Sequence, residues 1–410
     1  MTTETTNMTT TDTTNVTTDT TKAKNVILVL LLTSFIMSSF GFGRNIFPII
    51  IPDMKNDLNI SYTIIGLITA LHQVGYLTFS YISGKFTARL GAAHLSVGAI
   101  IISGFSLLLL GIVNNVWIIG ILIGILGICA ATSWVPMISI VNQYISEKHL
   151  SKSVGLISSG TSYGVFISGI AVPYLLKGYG WKSVWIVSGS VVLTIGLLGY
   201  IYLYWMGAFK IKGTYKKELS KTVLASKKYQ IIYMAVLMFL TGLALIPFQT
   251  YLIPYLREEL HLSVELGGRI WNIIGLIGMF SGILIGMLAD KVSVRKAFIS
   301  IYFIIAVSAI LLYVYPIPLM ILVSGFLFGL GYYGLFALFP VYINKEISKE
   351  YSAAIFGITN LCLGIGSALG NYLGGWSKSL TDSFLGLYLT ISLICVVLII
   401  LSIKLKEKEC

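Results

Sequence analysis

Twelve runs of apolar residues, each about long enough to cross a bilayer, follow one another along this chain with almost no charge inside them. They fall near 25–51, 62–84, 94–113, 116–142, 153–176, 183–206, 229–256, 265–289, 297–315, 318–343, 352–376 and 383–403. About 20 helical residues span the hydrocarbon core. Ten of the twelve runs hold no Asp, Glu, Lys or Arg; the exceptions are the first, with Arg44, and the eighth, with Glu265 and Arg269. Backbone in lipid must satisfy its own hydrogen bonds, so runs of this length fold as helices. The pattern predicts an all-α membrane protein with twelve transmembrane helices. Composition agrees, since only 11% of the residues are charged against about 25% in soluble domains.

Lysine and arginine set the expected orientation, because short cytoplasmic loops carry the excess of them. With the N-terminus inside, the inside segments hold 21 Lys and Arg and the outside loops hold five, Lys55, Lys177, Lys182, Arg257 and Lys378. Both termini are therefore expected in the cytoplasm of a multi-pass plasma-membrane protein. The net charge of +12 is then explained by basic loops facing an anionic leaflet, and no nucleic-acid partner is implied. Residues 1–24 contain thirteen threonines and read as a disordered cytoplasmic tail. Residues 207–228 hold seven lysines and one acid, Glu218, and read as a basic cytoplasmic linker. It separates a six-helix bundle at 25–206 from a second at 229–405, with a short tail at 406–410.

Catalytic and metal chemistry find little footing. The four histidines, His72, His94, His149 and His261, are scattered. The cysteines Cys129, Cys362, Cys395 and Cys410 make no CxxC pair. No Walker sequence or GxGxxG fingerprint is present, so neither a cofactor nor driving by ATP hydrolysis is expected.

The two halves match at a constant offset of 202. Pro52 falls on Pro254, Leu58 on Leu260, Ser61 on Ser263, Gly66 on Gly268, Gly84 on Gly286, Gly127 on Gly329, Gly155 on Gly357 and Gly164 on Gly366. Both halves begin and end on the same side, so the repeat is parallel, one architecture of secondary transporters. After the second span of the second half the chain reads Gly286-Met-Leu-Ala-Asp290-Lys291-Val-Ser293-Val-Arg295-Lys296. The first half reads Gly84-Lys-Phe-Thr-Ala88-Arg89-Leu-Gly91. In these residues the chain resembles the major facilitator superfamily. Ser293 replaces the second glycine of that family's loop signature, and Ala88 replaces the acid. The resemblance implies the major-facilitator fold, two pseudo-symmetric six-helix halves, and a conformational switch at Gly84, Arg89, Gly91, Gly286, Asp290, Lys291 and Arg295. An acid at a helix end can pair with bases in one conformation and release them in another. The family's drug–proton antiporters carry an arginine in span four and a central Gly-Pro in span five. Both are missing here, which lowers the efflux-pump reading.

Charge inside a span is costly, about 2.5–3.5 kcal/mol on insertion scales, and asks for a reason. Arg44 and Arg269 are the two such arginines, both in the expected outer half, and no acid lies near the midplane. Guanidinium matches carboxylate or phosphate bidentately, so the pair is expected to build a positive cavity. The plainer readings are a headgroup contact for Arg44 and an ion pair one turn back with Glu265 for Arg269. His72, near the midplane, is a candidate for substrate or proton, or a hydrogen bond between helices. Tyr76, Trp134, Gln249, Asn272, Tyr332 and Asn360 complete the expected substrate-binding set, with Tyr333 also at depth.

The expected function is alternating-access secondary transport of a small solute, read as an organic anion. Importing a monoanion against an inside-negative potential costs about 2.3 kcal/mol per 100 mV. A co-transported proton or a counter-anion is therefore the expected coupling partner, and a monomer suffices. The alternatives are export of neutral or lipophilic compounds and, in another class, a non-transporting membrane receptor.

Overall fold

The computed structural model describes residues 24–210, 227–347, 351–405 and 407. Most of the expected Thr-rich tail and linker (1–23 and 211–226) lie outside the described residues. Helix α1 (Lys24–Leu58) is followed by α2 (Tyr62–Leu90), α3 (Ala92–Leu110), α4 (Val116–Tyr144), α5 (Glu147–Ser158) and α6 (Gly160–Trp205). Then come α7 (Lys228–Pro254), α8 (Val264–Lys291), α9 (Val294–Val314), α10 (Pro318–Tyr342), α11 (Ser352–Thr381) and α12 (Leu385–Ile403). The described residues contain no strand.

Ten stretches among them are long and apolar enough to cross a membrane. One of these, Lys152–Trp205, has 54 residues and would reach about 80 Å if straight. At Gly180 its backbone turns to φ 76°, ψ 174°, a conformation that the missing Cβ permits. Gly160 packs against Thr33, and Gly199 packs against Phe35, both on α1. Residues so far apart in sequence meet one stretch of α1 only because the chain doubles back between them. The limb before Gly180, with α5, is the fifth crossing, and the limb after it is the sixth. Helix α11 falls outside the ten because Gly, Ser, Asn360 and Asn371 dilute its apolar run. With these two adjustments the helices match the twelve expected runs.

The repeat is visible in how the helices pack. Helix α2 lies on α4, α3 on the second limb of α6, and α1 on the first limb; in the second half α8 lies on α10, α9 on α12, and α7 on α11. The halves meet along two equivalent seams, α2 on α11 and the first limb of α6 on α8. The backbone repeats as well. Asn59 and His261 have φ 50° and 52°, Gly91 and Ser293 have 89° and 155°, and Gly180 and Asp382 have 76° and 53°. Each pair is 202 residues apart. Ser61 and Ser263, also equivalent, cap α2 and α8 by accepting from the N–H groups of Ile64 and Leu266.

Lipid gives apolar helices no hydrophobic reason to associate, so close backbone approach between small residues carries the packing. A Cβ on Gly41 would lie 2.6 Å from the Gly164 Cα. The equivalent Gly366 meets Phe239 and Leu243 of α7. The GxxxG pattern at Gly160 and Gly164 and its counterpart on α11 therefore pack helices within each half.

The two ends of the bundle differ. At the Asp53 end, Arg257 pairs with Asp53, Lys55 Nζ lies 3.7 Å from Glu258, and Lys177 pairs with Glu265, all across the halves. Thr63 joins them through its N–H, which donates to Ser379 Oγ at 3.1 Å. These three ion pairs join the halves at this end. At the Asp290 end a Cβ on Gly155, Gly286 or Gly357 would meet nothing within 4 Å. The halves are tied by ion pairs at the Asp53 end, and Phe40, Tyr76, Trp134, Tyr333 and Phe336, on the Asp290 side of the bundle interior, are only half-buried.

Candidate substrate-binding cavity

Arg44 sits where α1 departs from regular helix. A π-helical turn, Met37–Phe42, precedes it. Pro48 follows, with no N–H to offer the Arg44 carbonyl four residues back. Asn45 Nδ2 donates to the Phe40 carbonyl at 2.9 Å and helps hold the irregular turn. Such turns recur at functional sites.

Arg44 lines a cavity with Thr69, His72 and Gln73 of α2, Gln249 of α7 and Asn371 of α11. His72 is 7% exposed and Gln249 3%. His72 Nε2, Gln249 Nε2 and Asn371 Oδ1 are buried without a hydrogen-bond partner. Buried polar atoms are nearly always paired, so three unpaired ones in one cavity wall suit a water or a polar head group. Among the described residues no carboxylate pairs with the Arg44 guanidinium.

An aromatic group lies on the other side of Arg44. The guanidinium interacts with Tyr332 and lies in the electrostatic reach of Tyr76 and Tyr333. The Phe40 ring is 5.9 Å from Tyr76 and 6.2 Å from Trp134, both edge-on. Tyr332 is 5.0 Å from Tyr333 and 5.2 Å from Phe336. Tyr76 reaches across the halves to Asn360. Seven of the expected set thus gather around one point: Arg44, His72, Tyr76, Trp134, Gln249, Tyr332 and Asn360.

A family model described as Major Facilitator Superfamily matches residues 33–371. The chain belongs to the Major Facilitator Superfamily. This facilitator is 28% identical to the hexuronate transporter of Bacillus subtilis (strain 168) over 62% of each chain, so it spans less than two thirds of that relative. It is 22% identical to the gallate transporter of Pseudomonas putida over 86% of each. Its fold resembles a bacterial homologue of the human lysosomal transporter Spinster in an inward-facing and occupied conformation, with TM-score 0.77 and 14% identity over 92% of this chain and 96% of that one. It is an integral membrane transporter of a small solute, not an enzyme.

Two members of the expected set stand apart from the facilitator's cavity. Arg269 is exposed, on the stripe of α8 that carries exposed Leu276, Phe280 and Ile283. It lies on the apolar outer surface of the bundle, near a helix end from which a long cationic side chain reaches polar surroundings. The expected arginine pair therefore does not form. Glu265 does not pair with it either, because Lys177 of α6 takes that carboxylate. Asn272 packs on Gly169 at the α6–α8 seam. It does not line the cavity that holds Arg44.

Gln73, Thr69 and Asn371 were not expected. Thr69, His72, Gln73 and Tyr76 form an i, i+3, i+4, i+7 stripe, the spacing of one helix face. Asn371 lies three turns beyond Asn360 on the same face of α11. Both signals were present in the residue spacing.

The switch residues occupy the Asp290 end. Lys345 Nζ donates to Asp290 Oδ1 at 3.3 Å, with both side chains largely exposed. The Arg295 N–H donates to Glu407 Oε1 at 2.8 Å. Lys291 and Arg89 are exposed. Gly84 and Gly286 lie inside α2 and α8, and Gly91 makes the turn between α2 and α3. The Asp290 pair stays within the second half.

Proposed function

We propose that this facilitator carries a small organic anion and that Arg44 binds its carboxylate. One observation carries the reading: a guanidinium held between the two halves of the bundle, beside His72 and Gln249, with no carboxylate paired to it among the described residues. A bidentate carboxylate offsets the cost of that charge in the membrane interior. The two relatives above are named for hexuronate and gallate, both carboxylates, which supports it. The distribution of Lys and Arg assigns the Asp53 end to the outside and both termini to the cytoplasm of the plasma membrane. The cavity is then open inward. A proton or a counter-anion supplies the coupling.

Flux of radiolabelled carboxylates into proteoliposomes tests the reading. Arg44→Ala is expected to abolish it while the protein still inserts and runs as one species in detergent, and Arg44→Lys, a point charge without the fork, to keep only part of it. Undiminished flux through Arg44→Ala rules the anion site out.

A further inference from the structure

We propose that the substrate of this site is an aromatic monocarboxylate, its carboxylate on Arg44 and its ring among the aromatic side chains on the open side of that arginine. The inference rests on the organic-anion reading and narrows it.

Arg44 divides two unlike environments. Toward the Asp53 end lie the amides and hydroxyls of Thr69, Gln73, Asn371 and their neighbours, in a void of about 30 Å³. That is room for a water or two and too little for a sugar ring. Toward the Asp290 end the chain directions set what comes next. Phe40 is one turn back along α1 from Arg44, Tyr76 one turn on along α2 from His72, and Phe336 one turn on along α10 from Tyr332. A solute that enters from the open end and brings an anionic head to Arg44 must leave its body between these rings. Phe40, Tyr76, Trp134, Tyr333 and Phe336 are only half-buried although they lie within the bundle, as side chains facing open space do.

The chemistry of those walls selects the body. An aromatic ring gains from each edge-on or stacked aromatic partner beyond its area burial. A sugar acid brings several hydroxyls, and each one desolvated without a partner is destabilising. The buried, unpaired Tyr333 hydroxyl and Asn360 beside Tyr76 serve one or two ring substituents, not a full polyol. Arg44 is the one Lys or Arg that lines the cavity among the described residues, which fits one carboxylate and not two.

The experiment is counterflow of radiolabelled dihydroxybenzoate in proteoliposomes of the full chain, with protein-free vesicles subtracted. Unlabelled benzoate, glucuronate and lactate serve as competitors. Benzoate is expected to compete at least about tenfold more effectively than glucuronate or lactate. Trp134→Leu is expected to raise the KM for dihydroxybenzoate about tenfold with little change in maximal rate, and Trp134→Phe to restore most of it. Equal or better competition by glucuronate or lactate overturns the aromatic assignment while leaving the anion site standing. An unchanged KM in Trp134→Leu, in protein that inserts normally, also overturns it. If direct assays with labelled aromatic, sugar and aliphatic acids detect no flux of any of them, the anion reading itself has failed.

Discussion

Arg257 clamps Asp53 across the two halves: its Nη2 donates to Asp53 Oδ1 at 3.0 Å while Nη1 meets the other carboxylate oxygen. The two residues leave α1 and α7 at the same end, where Lys55 and Glu258 form a second, looser pair. Both members of the clamp are partly exposed, so solvent screens it and its contribution is about 1 kcal/mol. Asp53→Asn is expected to raise the population opened at this end about fivefold. Spin labels at Asn56 and Leu380 check it through their distance distribution, which gains a longer component in the variant.

Close packing inside the first half depends on the Gly41–Gly164 contact. A methyl on Gly41 would sit 2.6 Å from backbone, and backbone cannot rotate away. Gly41→Ala is expected to cost at least about 1–3 kcal/mol, the range for overpacking, and to lower the melting temperature in detergent. Gly98→Ala, where nothing lies within 4 Å, is expected to leave melting unchanged or raise it slightly, because alanine is the better helix former.

The Asp290–Lys345 pair is a surface pair, and such pairs stabilise by about 0–1 kcal/mol. Asp290→Asn is expected to change melting by less than about 0.5 kcal/mol. If Asp290 works as a switch, the same variant slows flux several-fold, because the cost falls on the other conformation. Initial flux measured beside melting separates the two effects.

Ser293 occupies a backbone conformation, φ 155° and ψ 159°, in the range that glycine adopts more easily, and its equivalent in the first half is Gly91. Its Oγ accepts from the Lys296 N–H at 3.2 Å and caps α9. Ser293→Ala keeps the backbone restriction and loses the cap, so it is expected to destabilise by about 1 kcal/mol. Ser293→Gly relieves the backbone and loses the same cap, so it is expected to be near neutral. Chemical or thermal denaturation of the two variants side by side checks the order.

Much of this molecule was legible along the chain. The helices follow the apolar runs closely, with α1 carrying past the expected residue 51 to Leu58 and α2 past 84 to Leu90, because polar residues extend a helix beyond the hydrocarbon at no cost. The offset of 202 reappears in packing and in turns, including Asn59 and His261, two different side chains that both tolerate the left-handed conformation. There the backbone repeats although the residue type does not, so identity counting underestimates the symmetry. Arg44 was also legible, because a charge inside an apolar run needs a reason wherever it points.

Sequence by itself determined that this chain lives in lipid, crosses it about twelve times, repeats itself once and holds a buried cation. Those are consequences of desolvation, and desolvation acts on each residue along its own helix. Only the tertiary structure decided which arginine faces inward, that Glu265 belongs to Lys177, and that aromatic rings from α1, α2, α4 and α10 meet around Arg44. Two arginines at similar depth look alike in one dimension. They are separated by the rotation of each helix about its axis, and packing against the neighbouring helices sets that rotation.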